Sequence, residues 1–270
     1  CEYTYRASVS PFLRAQLYKG LFLELNANHN LNLNYYNLRD ASANRWDYVT
    51  DTLQSASSLE TANSKIFNTN TYRTNADIIL RYNETFGKHE IGALAGYSIS
   101  KYLYRKNGSY RQGKSDWSIT EHEAYTNALS SESNTDEWGL MSWFGRVNYA
   151  FDSRYLFEAN LRYDGSSRFN SKNRWGIFPS FSAAWRITEE PWVKAVKNTL
   201  TEAKLRLSYG QLGNQNISDD YYPTVQTLNI GSSISVNGVV TPIATLTTLA
   251  NQDISWETSK MCDVGIDFSL

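Results

Sequence analysis

From Arg154 to Ile187 the chain reads RYLFEANLRYDGSSRFNSKNRWGIFPSFSAAWRI, and polarity alternates with a period of two through both halves. Tyr155, Phe157, Ala159, Leu161 and Tyr163 fall on one side, with Glu158, Asn160, Arg162 and Asp164 on the other. Successive side chains take opposite faces in a β-strand, whereas a helix would scatter this set around its circumference. After the turn-rich DGSSRFNSKNR the pattern resumes, and Ile177, Pro179, Phe181, Ala183, Trp185 and Ile187 oppose Ser180, Ser182 and Arg186. The stretch predicts two long strands forming a hairpin with one apolar and one charged face.

Soluble sheets alternate too, so the length and ends of the stripe decide. Each strand is near the roughly 9–11 residues that cross a bilayer at a tilt, and Tyr or Trp sits at the ends of the apolar row, where membrane interfaces favour aromatic rings. The hairpin is read as part of a transmembrane β-barrel wall, its apolar rows against lipid and its amide-bearing and charged rows lining water. Composition agrees, with 14 % aromatics (19 Tyr and 8 Trp) but only 41 % hydrophobic residues. No run reaches the ~18 apolar residues of a membrane helix, yet a barrel hides its hydrophobicity in every second position. A net charge of -1, from 26 basic and 27 acidic residues, supplies no field for nucleic acid.

The alternation recurs along the chain. Residues 7–18 predict a strand ending at Lys19-Gly20. The next carries Leu21, Leu23, Leu25, Ala27, Leu31, Leu33 and Tyr35, broken only by His29, against Glu24 and a ladder of Asn26, Asn28, Asn30, Asn32 and Asn34. Further strands are predicted at 66–83, 91–99, 141–149, 204–211 and 255–270. The segment TEEPWVKAVKNT has the acidic start, early proline and basic end of a short helix. Residues 36–65, 104–136 and 212–253 read as long polar loops, against short turns at 19–20, 84–88 and 151–153. Bacterial barrels alternate in this way, with short periplasmic turns and long extracellular loops. A soluble β-sandwich has no reason to keep that parity. The alternation places Tyr82, Tyr149, Tyr155 and Trp185 in a periplasmic aromatic girdle, and Tyr35, Tyr163, Tyr209 and Trp256 in an outer one.

About nine strands are countable, an odd number where bacterial single-chain barrels are even, and an open sheet cannot span lipid with unpaired edges. The expectation is an all-β, antiparallel piece of a larger barrel, with Cys1 marking a truncation rather than a lipoprotein's first residue. A complete barrel of eight or ten strands is the alternative. Cys1 and Cys262 are too few and too far apart for a disulfide framework or a metal knuckle.

Four segments carry a family resemblance. They are NETFGKHEIGALAGY at 83–97, NLRYDGSSRFNSKNRWGIFPSFSAAWRITEE at 160–190, LRLSYGQLGNQ at 205–215 and ISWETSKMCDVGIDF at 254–268. In order and spacing they resemble the barrel of SusC/RagA-like TonB-dependent outer-membrane transporters of Bacteroidota. The resemblance implies a barrel of about 22 strands, of which residues 1–270 would be a part, with the plug domain and TonB-contacting segment absent. It also implies import of oligosaccharides, or in some members peptides, across the outer membrane of a Gram-negative bacterium. A SusD-like lipoprotein would close the barrel from outside, and the TonB complex would supply energy through the missing N-terminal part.

Catalysis has little support in these residues, and no cofactor is expected. His29, His89 and His122 lack metal-ligand spacing, and Glu121-His122-Glu123 is read as solvated loop. Glu189-Glu190 precedes Pro191 as a helix start would, where carboxylates suit the dipole. Glu158 and Asp164, imaginable as glycosidase carboxylates, are read as hydrating the channel wall. Substrate or lid contact is expected from flat aromatic faces beside amides. Tyr104, Tyr110, Trp117 and Tyr125 supply them from one predicted loop, and Asn214, Gln215, Asn216, Tyr221 and Tyr222 from another. The competing reading is a soluble β-rich carbohydrate-binding protein or glycosidase, whose apolar rows would close on one another in a dry core.

Overall fold

The computed structural model describes residues 1–55, 58–196, 201–218, 221–246 and 250–269. The strands are β1 (Glu2–Val9), β2 (Phe12–Tyr18), β3 (Leu21–Arg39), β4 (Asn44–Asp47), β5 (Thr52–Ser55), β6 (Asn63–Phe86), β7 (His89–Gln112), β8 (Asn127–Phe151), β9 (Tyr155–Ser166), β10 (Trp175–Arg186), β11 (Glu202–Asn214), β12 (Leu228–Val236), β13 (Val239–Leu246) and β14 (Glu257–Ser269). Ten of them form one sheet in the order β1-β3-β6-β7-β8-β9-β10-β11-β14, with β2 also on β3, while β4-β5 and β12-β13 are separate hairpins.

The ten-stranded sheet corresponds to the nine strands read from the sequence, because β1 and β2 are two runs of one edge. They face β3 in one register as far as Gln16, with Val9 opposite His29 and Phe12 opposite Asn26. Pro11 lies between them. Its carbonyl accepts from the Ala27 amide at 3.1 Å, but proline has no N–H to return the bond, so the ladder is interrupted there.

Two compact units divide the chain. One comprises Cys1–Ser10, Asn28–Thr74 and Lys101–Glu137, and the other Pro11–Ala27, Asn75–Ser100 and Trp138–Leu270. In the second unit, cross-strand register explains the period of two. Val147, Ala159, Phe181, Tyr209 and Cys262 lie opposite one another across β8, β9, β10, β11 and β14, and the next row on the other face is Asn148, Glu158, Ser182, Ser208 and Asp263. Residues directly opposite in a ladder share a face, so one face is apolar and the other polar across all five strands. The apolar face is bare. Phe181 is 54 % exposed, Leu161 52 % and Val264 72 %, whereas the buried apolar side chains among the described residues are Ala62, Tyr125, Phe169, Phe178, Val193 and Ala203. The accessible surface, 18050 Å², far exceeds the roughly 12,000 Å² of a globular monomer of this mass. Rows packed into a dry sandwich would have been buried, so the soluble reading loses its premise.

Bands of rings border the bare face. At one level Phe151 stacks on Tyr155 (6.4 Å between centroids) and Tyr155 on Trp185 (6.5 Å). At the other, Tyr97 meets Trp143 at 4.6 Å and Tyr163 meets Trp175 at 4.7 Å. Trp256 does not join the outer band as the sequence suggested. It packs at 5.2 Å against both Phe169 and Phe178 and donates its indole N–H to the Arg174 carbonyl at 2.9 Å. Phe178 also fills the space above Gly176 and Gly213, where a Cβ would come within 2.5 and 2.1 Å of its ring.

Three further expectations change. Strands β6, β7 and β8 are longer than their apolar stripes, so 104–112 and 127–136, read as loop, are strand, and only 113–126 connects them. The loops at 36–65 and 212–253 each contain a hairpin, and β12-β13 turns at Asn237 and Gly238 with φ of 51° and 80°, the positive pair a type I′ turn needs. The predicted helix at 188–199 is replaced by two 3₁₀ segments, Ile187–Glu189 and Pro191–Val196, and its residues 197–199 lie outside the described residues. This connection is also longer than the 167–174 loop opposite it in parity, the one break in the short-long alternation.

Candidate functional site

The polar face of the second unit is a built surface. Arg162 Nη2 meets Asp164 Oδ1 at 3.1 Å and Ser142 Oγ at 3.2 Å, its guanidinium 5.6 Å from the Phe144 ring. Arg146 Nε donates to Asn160 Oδ1 at 2.6 Å, Asn160 donates to Glu158 at 2.8 Å, and Arg206 pairs with Asp267 at 2.7 Å. Glu158 and Asp164 are therefore held by neighbouring amides and cations on the polar wall. A concavity of about 900 Å³ opens on this face, lined by Glu84, Glu90, Asn148, Glu158, Arg206 and Asp263 among others. Opposing partly exposed charges of this kind contribute ~0–1 kcal/mol a pair to stability. What they supply is a wettable wall.

Glu190 is the exception to that weak coupling; it directly precedes the 3₁₀ segment Pro191–Val196, as the sequence suggested, but its carboxylate turns to donors elsewhere. Tyr155 donates its hydroxyl to Oε1 at 2.6 Å, Trp185 its indole N–H to the same oxygen at 3.1 Å, and Arg154 Nη1 reaches Oε2 at 3.4 Å. These donors, the tyrosine hydroxyl first, hold the carboxyl below its usual range. The residue ties the β8-β9 turn to the β10-β11 connection and is structural.

In the first unit, the 113–126 segment folds around His122. Its Nδ1 lies 2.7 Å from Ser64 Oγ and its Nε2 2.5 Å from Ser109 Oγ. Burial, then the charges of Arg111 and Arg39, push the imidazole down from its ordinary pKa, so it is neutral with one nitrogen donating and the other accepting. The solvated-loop reading holds for exposed Glu121 and Glu123, but His122 is a half-buried tie. Lys114, only 7 % exposed, has its ammonium 4.5 Å from the Trp117 ring and 5.5 Å from that of Tyr125, and reaches the Asp40 carbonyl at 3.4 Å. Tyr110 donates to Asn63 at 2.6 Å beneath Lys65, which sits 4.6 Å from its ring.

Three of the four aromatics expected in this region thus converge, Trp117 and Tyr125 around Lys114, and Tyr110 through the Asn63-Asp40 pair that the lysine also touches. Tyr125 is fully buried, and Tyr104 stands apart on β7. In the second unit, Arg168 gathers others. It is 3 % exposed, donates to the carbonyls of Tyr221 (3.2 Å) and Ser218 (3.1 Å) and to Asn216 Oδ1, and lies 5.3 Å from the Tyr221 ring. Tyr222 pairs with Ser167 at 3.2 Å. Asn214 caps Asn216 and donates to Glu257 at 2.8 Å, while the buried carbonyl oxygen of Gln215 has no hydrogen bond among the described residues. Sequence reasoning missed the two organising cations, Lys114 and Arg168. Nothing local marks a cation for burial, since the rings and carbonyls that enclose it arrive from distant positions.

An antiparallel sheet with a lipid-ready face, two aromatic bands and a charged wall opposite is the wall of an outer-membrane β-barrel. Residues 3–270 match the family model described as TonB dependent receptor-like, beta-barrel, and the chain belongs to that family. It is 37 % identical over 211 residues to TonB-dependent receptor P3 of Formosa agariphila, and 32 % identical over 200 residues to TonB-dependent receptor SusC of Bacteroides thetaiotaomicron, 74 % of this chain being covered in each case. The chain spans about a fifth of the length of those relatives (20 % of each). Among solved structures, the RagAB peptide transporter superposes with a TM-score of 0.83 at 22 % identity, covering 98 % of this chain and 28 % of that one, which establishes a shared fold. The relatives are of SusC/RagA type, and the wall belongs to the outer membrane of a Gram-negative bacterium.

Proposed function

We propose that this chain is part of the barrel of a TonB-dependent importer that carries oligosaccharides across the outer membrane, capped outside by a SusD-like lipoprotein and energised through TonB by parts of the receptor beyond this chain. The observation that carries the reading is the amphipathic wall, apolar and bare on one side and lined by amides, hydroxyls and paired charges on the other. Such a wall suits a polar solute moving through water inside lipid. Aromatic faces beside amides, as at Trp117 and Tyr222, favour sugar rings or a lid over an inorganic ion. The peptide alternative rests on the fold shared with a transporter described as carrying peptides.

The test is uptake by cells carrying the full-length receptor, with labelled oligosaccharides and peptides offered separately. Trp117→Ala and Tyr222→Ala, at equal surface expression, should each lower oligosaccharide uptake or co-purification of the lipoprotein. Unchanged values for both would remove these residues from the site, and uptake of peptides alone would replace the substrate class.

A further inference from the structure

On the polar face of the first unit, a cavity of about 480 Å³ is lined by Arg6 and Ser8 of β1, Asn30 and Asn32 of β3 and Thr71 and Arg73 of β6, with Ala7 and Leu31 between them. The residues come as i, i+2 pairs from adjacent strands, so their side chains share a face, and Arg6 lies directly opposite Asn32. Among the described residues no acidic side chain lines the cavity. Among the described residues neither guanidinium has a carboxylate partner, in contrast to Arg146, Arg162 and Arg206, and Arg73 instead lies 5.3 Å from the Tyr102 ring. Of the carboxylates at alternate positions on these strands, Glu2 is taken by Asn34 at 2.6 Å, Glu24 pairs with Arg14 and Arg81, and Asp77 is two such positions beyond Arg73.

Two unpaired guanidiniums in one polar hollow repel each other, and that repulsion is relieved when an oxyanion sits between them. A bare anion would leave the rest of the lining unused. Asn32 Oδ1 is buried and accepts no hydrogen bond among the described residues, and an unsatisfied buried acceptor calls for a donor. Asn30 gives its amide to Asn28. A sugar ring bearing a carboxylate or sulfate ester supplies both parts, the anion to Arg6 and Arg73 and a hydroxyl proton to Asn32. We infer that this hollow is a subsite for an acidic sugar residue, selecting uronate- or sulfate-bearing oligosaccharides. The inference rests on the importer reading and names its substrate class.

The experiment uses purified full-length receptor in detergent and isothermal titration with four probes: oligogalacturonate and a sulfated galactan oligosaccharide, neutral maltohexaose, and hexaglutamate as an acidic peptide. Wild type should bind one or both acidic sugars. Arg6→Gln/Arg73→Gln should weaken that binding by roughly tenfold or more, the loss expected for charged hydrogen bonds, while Arg6→Lys/Arg73→Lys loses less and an unchanged melting profile certifies both variants as folded. The sugar that responds separates carboxylate from sulfate. Equal affinities in wild type and the Gln variant, absence of acidic-sugar binding by wild type, or arginine-dependent binding of hexaglutamate alone would each overturn the assignment. Receptor-dependent uptake of oligosaccharides of some class by cells would persist if only this subsite were misread, and would be absent for every class if the importer reading itself failed.

Discussion

At the scale of single residues, Glu190 and His122 each lie in a connection between strands, where neighbouring groups shift their titration. Glu190 is clamped by Tyr155, Trp185 and Arg154, and these bonds favour its charged form. A carboxyl with a lowered folded pKa adds stability that is fully present above its unfolded value, near 4.5, and is lost as pH falls through the folded value. Glu190→Gln should therefore lower the melting temperature of the receptor at pH 7 and flatten its dependence on pH below about 4.5. Thermal unfolding in detergent from pH 3 to 7 reads both effects. His122 is a base rather than an acid and also has a lowered pKa, so its neutral form is the one favoured by folding. Its contribution is complete above the unfolded value near 6.5 and is lost as pH drops below it, because the unfolded chain takes up the proton more readily. Protection factors of the amides in residues 113–126, each rate taken relative to its intrinsic value at that pH, should fall between pH 7.5 and 5 in wild type, and should be low at both in His122→Ala.

At the scale of strands, steric fit and face assignment decide. Gly96 on β7 has Phe144 of β8 above it, and a Cβ there would lie 2.4 Å from the ring. Gly96→Ala should cost ~1–3 kcal/mol, as overpacking does, and Phe144→Ala in the same chain should recover part of the loss. Additive effects in that double-mutant cycle would show that the two residues are not coupled. Face assignment is tested at neighbouring positions. Phe181→Arg, between the aromatic bands, should destabilise the receptor by ~2–4 kcal/mol, while Ser182→Arg on the polar face should cost little. What made the strands legible is the demand tested here, since a residue that must meet lipid or water leaves a strict two-residue period. Leu21 to Tyr35 and Tyr155 to Tyr163 show it without help from any other segment. The demand lapses beyond the bilayer, which is why KNGSYRQ at 106–112 and NALSSESNT at 127–135 read as loop although their backbones stay paired. The β12-β13 hairpin did carry a signal, Asn237-Gly238 between Val236 and Val239, hidden only by the polar composition around it. The candidate site was legible as residue types, aromatics beside amides, but its organising cations and the seryl clamp on His122 depend on contacts between residues far apart in sequence.

At the scale of the whole molecule, edges settle what these residues can do alone. In the second unit β2 pairs only with β3 and β14 only with β11 among the described residues. Each therefore presents backbone amides and carbonyls on its outer side. Water can satisfy such an edge, but hydrocarbon cannot, at a cost of several kcal/mol for each unpaired group. The same edge strand β14 turns Val264, Ile266 and Phe268 outward at 72 %, 68 % and 71 % exposure. Residues 1–270 expressed alone are thus caught between two solvents, with apolar rows that water rejects and edges that lipid rejects. They should aggregate without detergent, and in detergent should lack the heat-resistant electrophoretic mobility of a closed barrel, which the full-length receptor should retain. A soluble, monodisperse 270-residue product with a sharp cooperative melt would mean that the apolar rows find a core of their own. The membrane wall would then have to be abandoned, because the same side chains cannot line a dry interior and face lipid.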